Sequence, residues 1–407
     1  MRLQATRASV TSGGGAIDAL YRAAGGKPTL DQRFAKDKSL VDKISGSNLI
    51  TFSRASSGTY IDSDGLIKTA VTDAPRFDHG PVTGESLGLL IEEARTNLLA
   101  YSEQFDQWTV GANTIVTPNA TTAPDGTFTA DQVYFSQSGN TNISQSVTLT
   151  QNQTYTFSIY AKAVTPGTNN KFIPYINSPN PKFPNDFEAT SEWQRFTFTF
   201  THTNTTASTG VFILNRTDTY ITNVYFWGAQ LEEGGSFPTS YIPTTSSAVT
   251  RAADVATIEG TNFSSWYNQS EGTVFSDVFP LDGDSGRGYL FSNGTNVQRL
   301  GQNADSTTGF ALFMSNGGIV TSLAAAVSGM PKAIKACLAY KSGSSRGVID
   351  GALKTLSTTS NVPSAIDQVG IGFQNYEGSS GFLNGHIKRL AYFSTRKTDQ
   401  ELVKMTS

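Results

Sequence analysis

Acidic residues in close pairs are the first candidates for chemistry in this sequence. Asp186 lies two positions before Glu188, and Asp282 lies two positions before Asp284. Hydrolysis of a glycosidic bond needs two carboxyl groups about 5 to 9.5 Å apart, and alternate residues of an extended segment can present both groups on one side. Proline, asparagine and glycine flank these pairs, as is typical of turns. We therefore interpret the pairs as turn residues and predict that the protein is not an enzyme.

Histidine and cysteine, which often serve as metal ligands or nucleophiles, are scarce. The histidines are His79, His202 and His386, and none has a second ligand or a nucleophile near it in the sequence. We interpret each as a hydrogen-bonded structural residue, while a meeting of histidines in space stays open. Cys337 is the single cysteine, which excludes an intrachain disulfide and predicts a small, half-buried residue in a strand. These residues predict no metal site and no cofactor.

Sugar binding needs different residues from sugar hydrolysis. Aromatic rings pack against the C–H side of a sugar, and carboxylate or amide groups bind pairs of hydroxyls. Three predicted loops carry such residues, so the candidate glycan-binding residues are Tyr175, Asn177, Asp282, Asp284, Asn375 and Tyr376.

The composition indicates a turn-rich globular protein with several domains. The chain has 407 residues, of which 38% are hydrophobic and 15% charged, and domains usually hold about 150 residues each. A net charge of -3 provides no long-range attraction for nucleic acid or for an anionic membrane. No apolar run approaches the roughly 18 residues that a membrane-spanning helix needs, and we expect no secretion signal. We therefore predict neither a nucleic-acid partner nor membrane insertion.

Strict alternation in the middle of the chain predicts antiparallel strands. Tyr155, Phe157, Ile159 and Ala161 alternate with polar residues, and phenylalanine alternates with threonine over residues 195–201. One apolar face and one hydroxyl-rich face predict two sheets packed as a sandwich around an aromatic core. The proline-containing segment 236–244, which we call the strap, predicts ordered extended structure between domains.

Short sequence patterns predict local structure toward both ends of the sequence. Ile17, Leu20 and Tyr21 fall on one face of a short predicted helix that is marginal alone, so we predict that they dock on another protein or on a sister subunit. A frayed terminus is the alternative. A hairpin is predicted around the turn at residues 62–65, and a capping box at Thr398 and Glu401 predicts a final helix.

A succession of motifs resembles a module of tail fibres and related surface adhesins of tailed bacteriophages. The motifs are Phe52-Ser53-Arg54-Ala55-Ser56, Asp62-x-Asp64-Gly65, Pro75-Arg76-Phe77-Asp78-His79, Leu90-Ile91-Glu92-Glu93 and Arg95-Thr96-Asn97-Leu98. This resemblance implies a protein of the virion surface whose N-terminal arm docks on other virion proteins. It also implies a homotrimer, because phage fibres are commonly trimeric.

Two further resemblances cover the rest of the chain. Motifs such as Trp193-Gln194-Arg195-Phe196 and Phe226-Trp227-Gly228-Ala229-Gln230 are similar to those of jelly-roll carbohydrate-binding modules. The turn Ile349-Asp350-Gly351 and the later strand through Ile387 are similar to concanavalin A-like lectin domains of the laminin-G type. The lectin resemblance alone implies that calcium could bind.

These observations together predict an all-β protein. The predicted parts are an N-terminal attachment arm (1–27), a small β module (28–99), a jelly roll (100–249) and a concanavalin A-like sandwich (250–407). The predicted function is a non-enzymatic, fibre-type adhesin that binds glycans on the host surface. The sequence has no Gly-X-Y repeat or heptad array that could form a long shaft. A decoration protein of capsid, collar or baseplate is therefore the first alternative, and a polysaccharide depolymerase is the second.

Overall fold

The structure is a computed structural model of the chain. It describes residues 17–136, 141–176, 186–205, 208–215, 221–281, 286–305, 309–324, 332–354, 362–374 and 381–407. Antiparallel strands form nearly all of the regular structure, which confirms the all-β fold class. Within these ranges no helix is long and apolar enough to cross a bilayer.

The first hundred residues form short elements. In chain order they are α1 (Ala19–Ala23), β1 (Leu30–Gln32), α2 (Phe34–Asp37), β2 (Thr51–Ser53), β3 (Gly58–Ile61), β4 (Ile67–Ala70), β5 (Phe77–His79), β6 (Ser86–Ile91) and β7 (Arg95–Asn97).

Longer strands follow in the middle of the chain. After a 3-10 helix (Phe105–Gln107) they are β8 (Thr109–Val110), β9 (Thr114–Thr121), β10 (Ala130–Phe135), β11 (Thr141–Thr148), β12 (Gln153–Ala163), β13 (Lys171–Ile176), β14 (Phe187–Glu188), β15 (Gln194–His202), β16 (Ser208–Asn215) and β17 (Thr222–Glu233).

The last part of the chain is again rich in strands. Its elements are β18 (Val249–Arg251), β19 (Val255–Glu259), α3 (Gly260–Ser264), β20 (Glu271–Pro280), β21 (Gly286–Ser292), β22 (Arg299–Asp305), β23 (Gly309–Asn316), β24 (Ile319–Ala324), β25 (Ile334–Lys341), β26 (Arg346–Ile349), β27 (Ala352–Leu353), β28 (Gln368–Ile371), β29 (Gly385–Phe393) and α4 (Asp399–Thr406).

The middle strands form a jelly roll of two sheets. The front sheet has the order β15-β12-β17-β10-β9, and the back sheet has the order β14-β13-β16-β11-β8. The side chains predicted to face inward do so, since Tyr155, Phe157, Ile159 and Ala161 are each 0% exposed. The core between the sheets is aromatic, as the alternation predicts.

The C-terminal sandwich also consists of two sheets, and it includes strands from the beginning of the chain. One sheet has the order β27-β26-β25-β20-β29-β6-β5, with β1 also paired to β29, and the other has the order β2-β19-β28-β21-β22-β23-β24. Leu89 of β6 pairs with Ile387 of β29. The predicted boundary at residue 99 therefore does not separate residues 28–99 from this sandwich. Alternation identifies a strand but not its partner, and these partners lie far away in the sequence.

Two smaller pieces join the jelly roll to the C-terminal sandwich. The predicted hairpin is present as β3 and β4, and the Ile67 amide donates a hydrogen bond of 3.0 Å to Pro124 O in the jelly roll. The strap lies against the hairpin, where the Thr59 hydroxyl donates a hydrogen bond of 2.5 Å to Tyr241 O of the strap. The strap is ordered, as predicted.

Five buried charged side chains lie where these pieces meet, and we call them the arginine cluster. Its members are Arg54, Arg76, Glu92, Arg251 and Asp254, which are all at most 1% exposed. Arg54 Nη1 lies 3.0 Å from Asp254 Oδ1, and Arg76 Nη1 lies 2.8 Å from Glu92 Oε2. Paired burial of this kind keeps each charge satisfied only while the hairpin, the strap and the C-terminal sandwich stay in place.

The strap contacts the same cluster. The Ser240 amide and hydroxyl each donate a hydrogen bond of 2.7 Å to the Glu92 carboxylate. Burial acts to raise the pKa of Glu92, but Arg251, Arg76 and the bonds from Ser240 outweigh it and hold the pKa well below its usual range. Glu92 is therefore an ionised anchor for the strap.

The N-terminal helix requires a correction to the predicted docking residues. Leu20 is 6% exposed and Tyr21 is 9% exposed, because α1 packs on the C-terminal sandwich beside α4. The Tyr21 hydroxyl donates a hydrogen bond of 2.8 Å to Asp31 Oδ2. These two side chains are used inside the chain and are not available to another protein. Ile17 is 65% exposed and stays a predicted docking residue.

Candidate glycan-binding face

Of the candidate glycan-binding residues predicted from the sequence, the structure describes Tyr175. Its half-buried ring lies on β13 of the back sheet, with its centroid 5.8 Å from that of Phe212 on the neighbouring strand. The remaining candidates, which are Asn177, Asp282, Asp284, Asn375 and Tyr376, lie outside the described residues. The prediction for those loops is therefore not tested by the structure.

Two of the histidines meet in space. His79 and His386 line one cavity of 220 Å³ between the hairpin, the strap and the two sandwiches. His386 Nε2 lies 2.7 Å from Asp78 Oδ2, and His79 Nδ1 lies 3.0 Å from Ile61 O. Both rings are buried and hydrogen-bonded, as predicted, and much of the cavity wall is aliphatic. This arrangement supports a structural role at the junction.

The outer face of the front sheet carries a stripe of aromatic side chains, and one half of it is covered. Trp227 packs with its ring centroid 4.5 Å from Tyr241 of the strap and 5.6 Å from Tyr160 on β12. Ile67 of the hairpin and Ala123 of the loop after β9 belong to the same buried cluster. The hairpin, the strap and this loop therefore bury the aromatic side chains of this half of the face.

The other half is open, and we call it the open face. It consists of two rows of residues that lie side by side across neighbouring strands. The first row is Thr117, Gln132, Tyr225 and Lys162, and the second row is Ile115, Tyr134 and Asn223. Ile115 is 57% exposed, and both tyrosines are half-buried. Two aromatic rings thus face solvent between amide, hydroxyl and ammonium groups.

Trp193 marks the edge of the open face. It lies just before β15, at one edge of the front sheet, and its indole Nε1–H donates a hydrogen bond of 3.0 Å to Thr122 O. Because Thr122 follows β9 at the opposite edge, the loop after β9 must fold back over the sheet to make this contact. The half-buried Trp193 therefore lies at the border between the covered and the open parts.

Hydrogen-bonding side chains lie side by side on the open face. The Gln132 side-chain amide donates a hydrogen bond of 2.8 Å to Asn223 Oδ1, which fixes the orientation of both amides. Lys162 is the register partner of Tyr225. In the seven residues of the two rows, which the structure describes in full, no side chain is acidic. The face can stack against a sugar ring and donate hydrogen bonds to its oxygen atoms.

The core beneath the open face makes it rigid. Val133, Val224 and Phe226 alternate with the outward residues on β10 and β17, and all three are 0% exposed. A platform on fixed strands loses little conformational entropy when a ligand binds.

The sequence does carry a signal for this site, because outward residues alternate with a buried valine in both Gln132-Val133-Tyr134 and Asn223-Val224-Tyr225. It does not show which part of the face the hairpin and the strap leave uncovered.

Comparison with known proteins gives weak structural similarities. No family model and no curated protein matches the chain. The carbohydrate-binding module CBM40 of the Ruminococcus gnavus IT-sialidase is 11% identical at a TM-score of 0.31, over 36% of this chain and 88% of that chain. Domain 4 of AbnA, a GH43 extracellular arabinanase from Geobacillus stearothermophilus, is 10% identical at a TM-score of 0.32, over 43% of this chain and 82% of that chain.

A longer but equally weak match covers more of the chain. The CBM22-1-CBM22-2 tandem domain of Paenibacillus barcinonensis Xyn10C is 10% identical at a TM-score of 0.29, over 74% of this chain and 97% of that chain. Similarity at this level carries no argument about what this chain binds.

Proposed function

We propose that the protein is a non-enzymatic adhesin that binds glycans through the open face of its jelly roll. The observation that carries the proposal is the pair of half-buried tyrosines, Tyr134 and Tyr225, set among Gln132, Asn223 and Lys162 on a rigid sheet. Aromatic rings beside amide and ammonium donors match the alternating apolar and hydroxyl-bearing surfaces of a sugar.

The biological setting is part of the proposal and is supported by the sequence motifs between residues 50 and 99. We place the protein on the virion surface of a tailed phage, as a fibre-type adhesin in a homotrimer. Weak individual sites would then act together, because copies held in one particle raise the effective concentration of the face.

A decoration protein of the capsid, collar or baseplate is the second candidate. The absence of a Gly-X-Y repeat or heptad array from the sequence favours it, because such repeats form the long shaft of a fibre. Electron microscopy of virions labelled with an antibody against the chain separates the candidates. Label on the tail fibres supports the fibre-type adhesin, and label distributed over the head, at the collar or on the baseplate supports decoration.

Affinity electrophoresis in gels that contain host surface polysaccharide tests the binding function. We expect retardation of the wild-type protein and a loss of affinity of about tenfold in Tyr225→Ala, which corresponds to about 1.4 kcal/mol. Tyr175→Ala is the matched control, because Tyr175 is also half-buried but lies on the back sheet. Equal loss of affinity in both variants, or loss in Tyr175→Ala alone, would contradict glycan binding at the open face. Release of oligosaccharide from the gel would instead indicate a depolymerase.

A further inference from the structure

A cleft of 640 Å³ lies between the jelly roll and the C-terminal sandwich. Three separate parts of the structure form its walls. The jelly roll supplies Gln153 and Glu233, the segment before β29 supplies Asn384, and the ribbon of β7 and β18 supplies Thr96 and Thr250. Clefts at domain junctions are common positions for ligand sites.

Arg95 holds the walls of the cleft in place. Its Nε donates a hydrogen bond of 2.9 Å to Glu93 Oε1, and its Nη1 donates to the backbone oxygen of Glu233. The side chain is 7% exposed, so it acts as a brace between β7 and the end of β17. Gly234 has a φ of 87°, and a Cβ at this position would lie 2.3 Å from Arg95 Nη1. Glycine therefore leaves the space that the guanidinium occupies.

The groups that line the cleft differ from those of the open face. Glu93 and Glu233 are opposed by the single guanidinium of Arg95, so these three residues carry a net negative charge. Tyr155 donates a hydrogen bond of 3.1 Å to Glu233 Oε2, and the Glu93 amide donates one of 2.9 Å to Asn384 Oδ1. The lining thus presents fixed carboxylates and amides, a set that disfavours anionic ligands and can bind pairs of hydroxyls.

The described residues that line the cleft are mainly hydrogen-bonding groups rather than exposed aromatic rings. Phe382 is the aromatic residue among the lining residues in the described part of the chain, and it is 7% exposed. The described lining residues therefore offer hydrogen bonds as their means of recognition. Thr96 Oγ1 and Thr250 Oγ1 lie 2.8 Å apart across the ribbon, and they add hydroxyl groups to the same surface.

We propose that this cleft is a second binding site, separate from the open face, for a neutral saccharide whose hydroxyls are bound by Glu93, Glu233, Gln153 and Asn384. The choice of a saccharide rests on the proposed glycan-binding function, but the site itself rests on the geometry of the cleft. A ligand bound there contacts the jelly roll and the C-terminal sandwich at once.

Saturation-transfer NMR on the full chain tests the second site. The probes are neutral trisaccharides (maltotriose, cellotriose and chitotriose) and the acidic trimer of galacturonic acid. The background is Tyr225→Ala, which disables the open face. We expect at least one neutral probe to bind in that background, and its affinity to fall about tenfold when Gln153→Ala or Glu233→Gln is added. Gln151→Ala is the matched control, because it is an exposed glutamine in the turn just before β12 that does not line the cleft.

The outcomes separate this site from the open face. Unchanged affinity in both cleft variants, binding of the acidic trimer in preference to neutral probes, or no binding of any neutral probe at millimolar concentration would overturn the second site. Binding that requires added calcium would also overturn it. If Tyr225→Ala binds every probe like the wild type while the cleft variants lose affinity, the open face fails and the cleft is supported.

Discussion

Arg76 and Glu92 form an ion pair in which Arg76 Nη1 lies 2.8 Å from Glu92 Oε2 and both side chains are at most 1% exposed. The pair joins the segment before β5 to the end of β6, and Glu92 also binds Ser240 of the strap. This contact belongs to the arginine cluster, which holds the hairpin, the strap and the C-terminal sandwich together. The position of the covered half of the front sheet, and hence of the open face, depends on it.

Loss of the Glu92 charge is expected to destabilise the fold strongly. In Glu92→Gln, three buried guanidiniums share the single carboxylate of Asp254. Removal of one partner from a buried pair usually costs about 3 to 5 kcal/mol. Urea unfolding followed by tryptophan fluorescence measures the loss. Glu85→Gln is the control, since Glu85 lies 3.0 Å from Lys388 but is 66% exposed, and such surface pairs contribute about 0 to 1 kcal/mol. Similar losses in the two variants would contradict the role of the cluster.

The lowered pKa of Glu92 predicts the pH range in which its contribution disappears. A carboxyl whose pKa is lower in the folded than in the unfolded state stabilises the fold above the unfolded value, here 4.5. The contribution is lost as the pH falls below that value toward the folded pKa. The difference in unfolding free energy between wild type and Glu92→Gln should therefore be constant near neutrality and shrink below pH of about 4. A difference in unfolding free energy that does not change with pH would contradict the lowered pKa of Glu92.

Asp131 is expected to show the opposite pH dependence. Burial raises its pKa to about 6, although the amides of Phe105 and Asn119 donate hydrogen bonds of 2.7 and 2.9 Å to its carboxylate. Because the unfolded state ionises first, stability should fall as the pH rises from about 4 to about 6. Asp131→Asn cannot ionise, so wild type should lose stability relative to this variant across that interval. Parallel curves of unfolding free energy against pH for the two proteins would contradict the raised pKa of Asp131 in the folded state.

Gly88 is expected to be essential for the pairing of β6 with β29. Its φ is 94°, and a Cβ there would lie 2.2 Å from Ile387 O. Gly88→Ala should cost both the strain of a positive φ, of order 1 to 3 kcal/mol, and the overlap with the neighbouring backbone. Gly46→Ala is the matched control, because Gly46 has a φ of 71° and nothing within 4 Å of an added Cβ. Equal unfolding free energies for the two variants would mean that the sheet adapts without cost.

The sequence predicts local structure well where the signal is local. The jelly-roll strands, the hairpin of β3 and β4, and the capping box at Thr398 and Glu401 all agree with the structure. Each depends on residues within a few positions of one another. Cys337 differs from its prediction in being fully buried, because α1 and α4 cover that face of β25.

The features that the sequence did not predict depend on contacts between residues that are far apart in the chain. Leu89 and Ile387 are partners in one sheet, and Arg54 and Asp254 form one ion pair, yet each pair is separated by hundreds of residues. Period and composition give no information on such contacts. The open face is of the same kind, because Tyr134 and Tyr225 become a candidate site only after the hairpin and the strap cover the aromatic side chains beside them.

A crystal structure of the full chain soaked with an oligosaccharide released from the host surface tests the central claim most directly. We expect a sugar ring stacked on Tyr225 or Tyr134, with its hydroxyls within hydrogen-bond distance of Gln132, Asn223 or Lys162. Ordered sugar on the back sheet at Tyr175, with the open face empty, would contradict the claim.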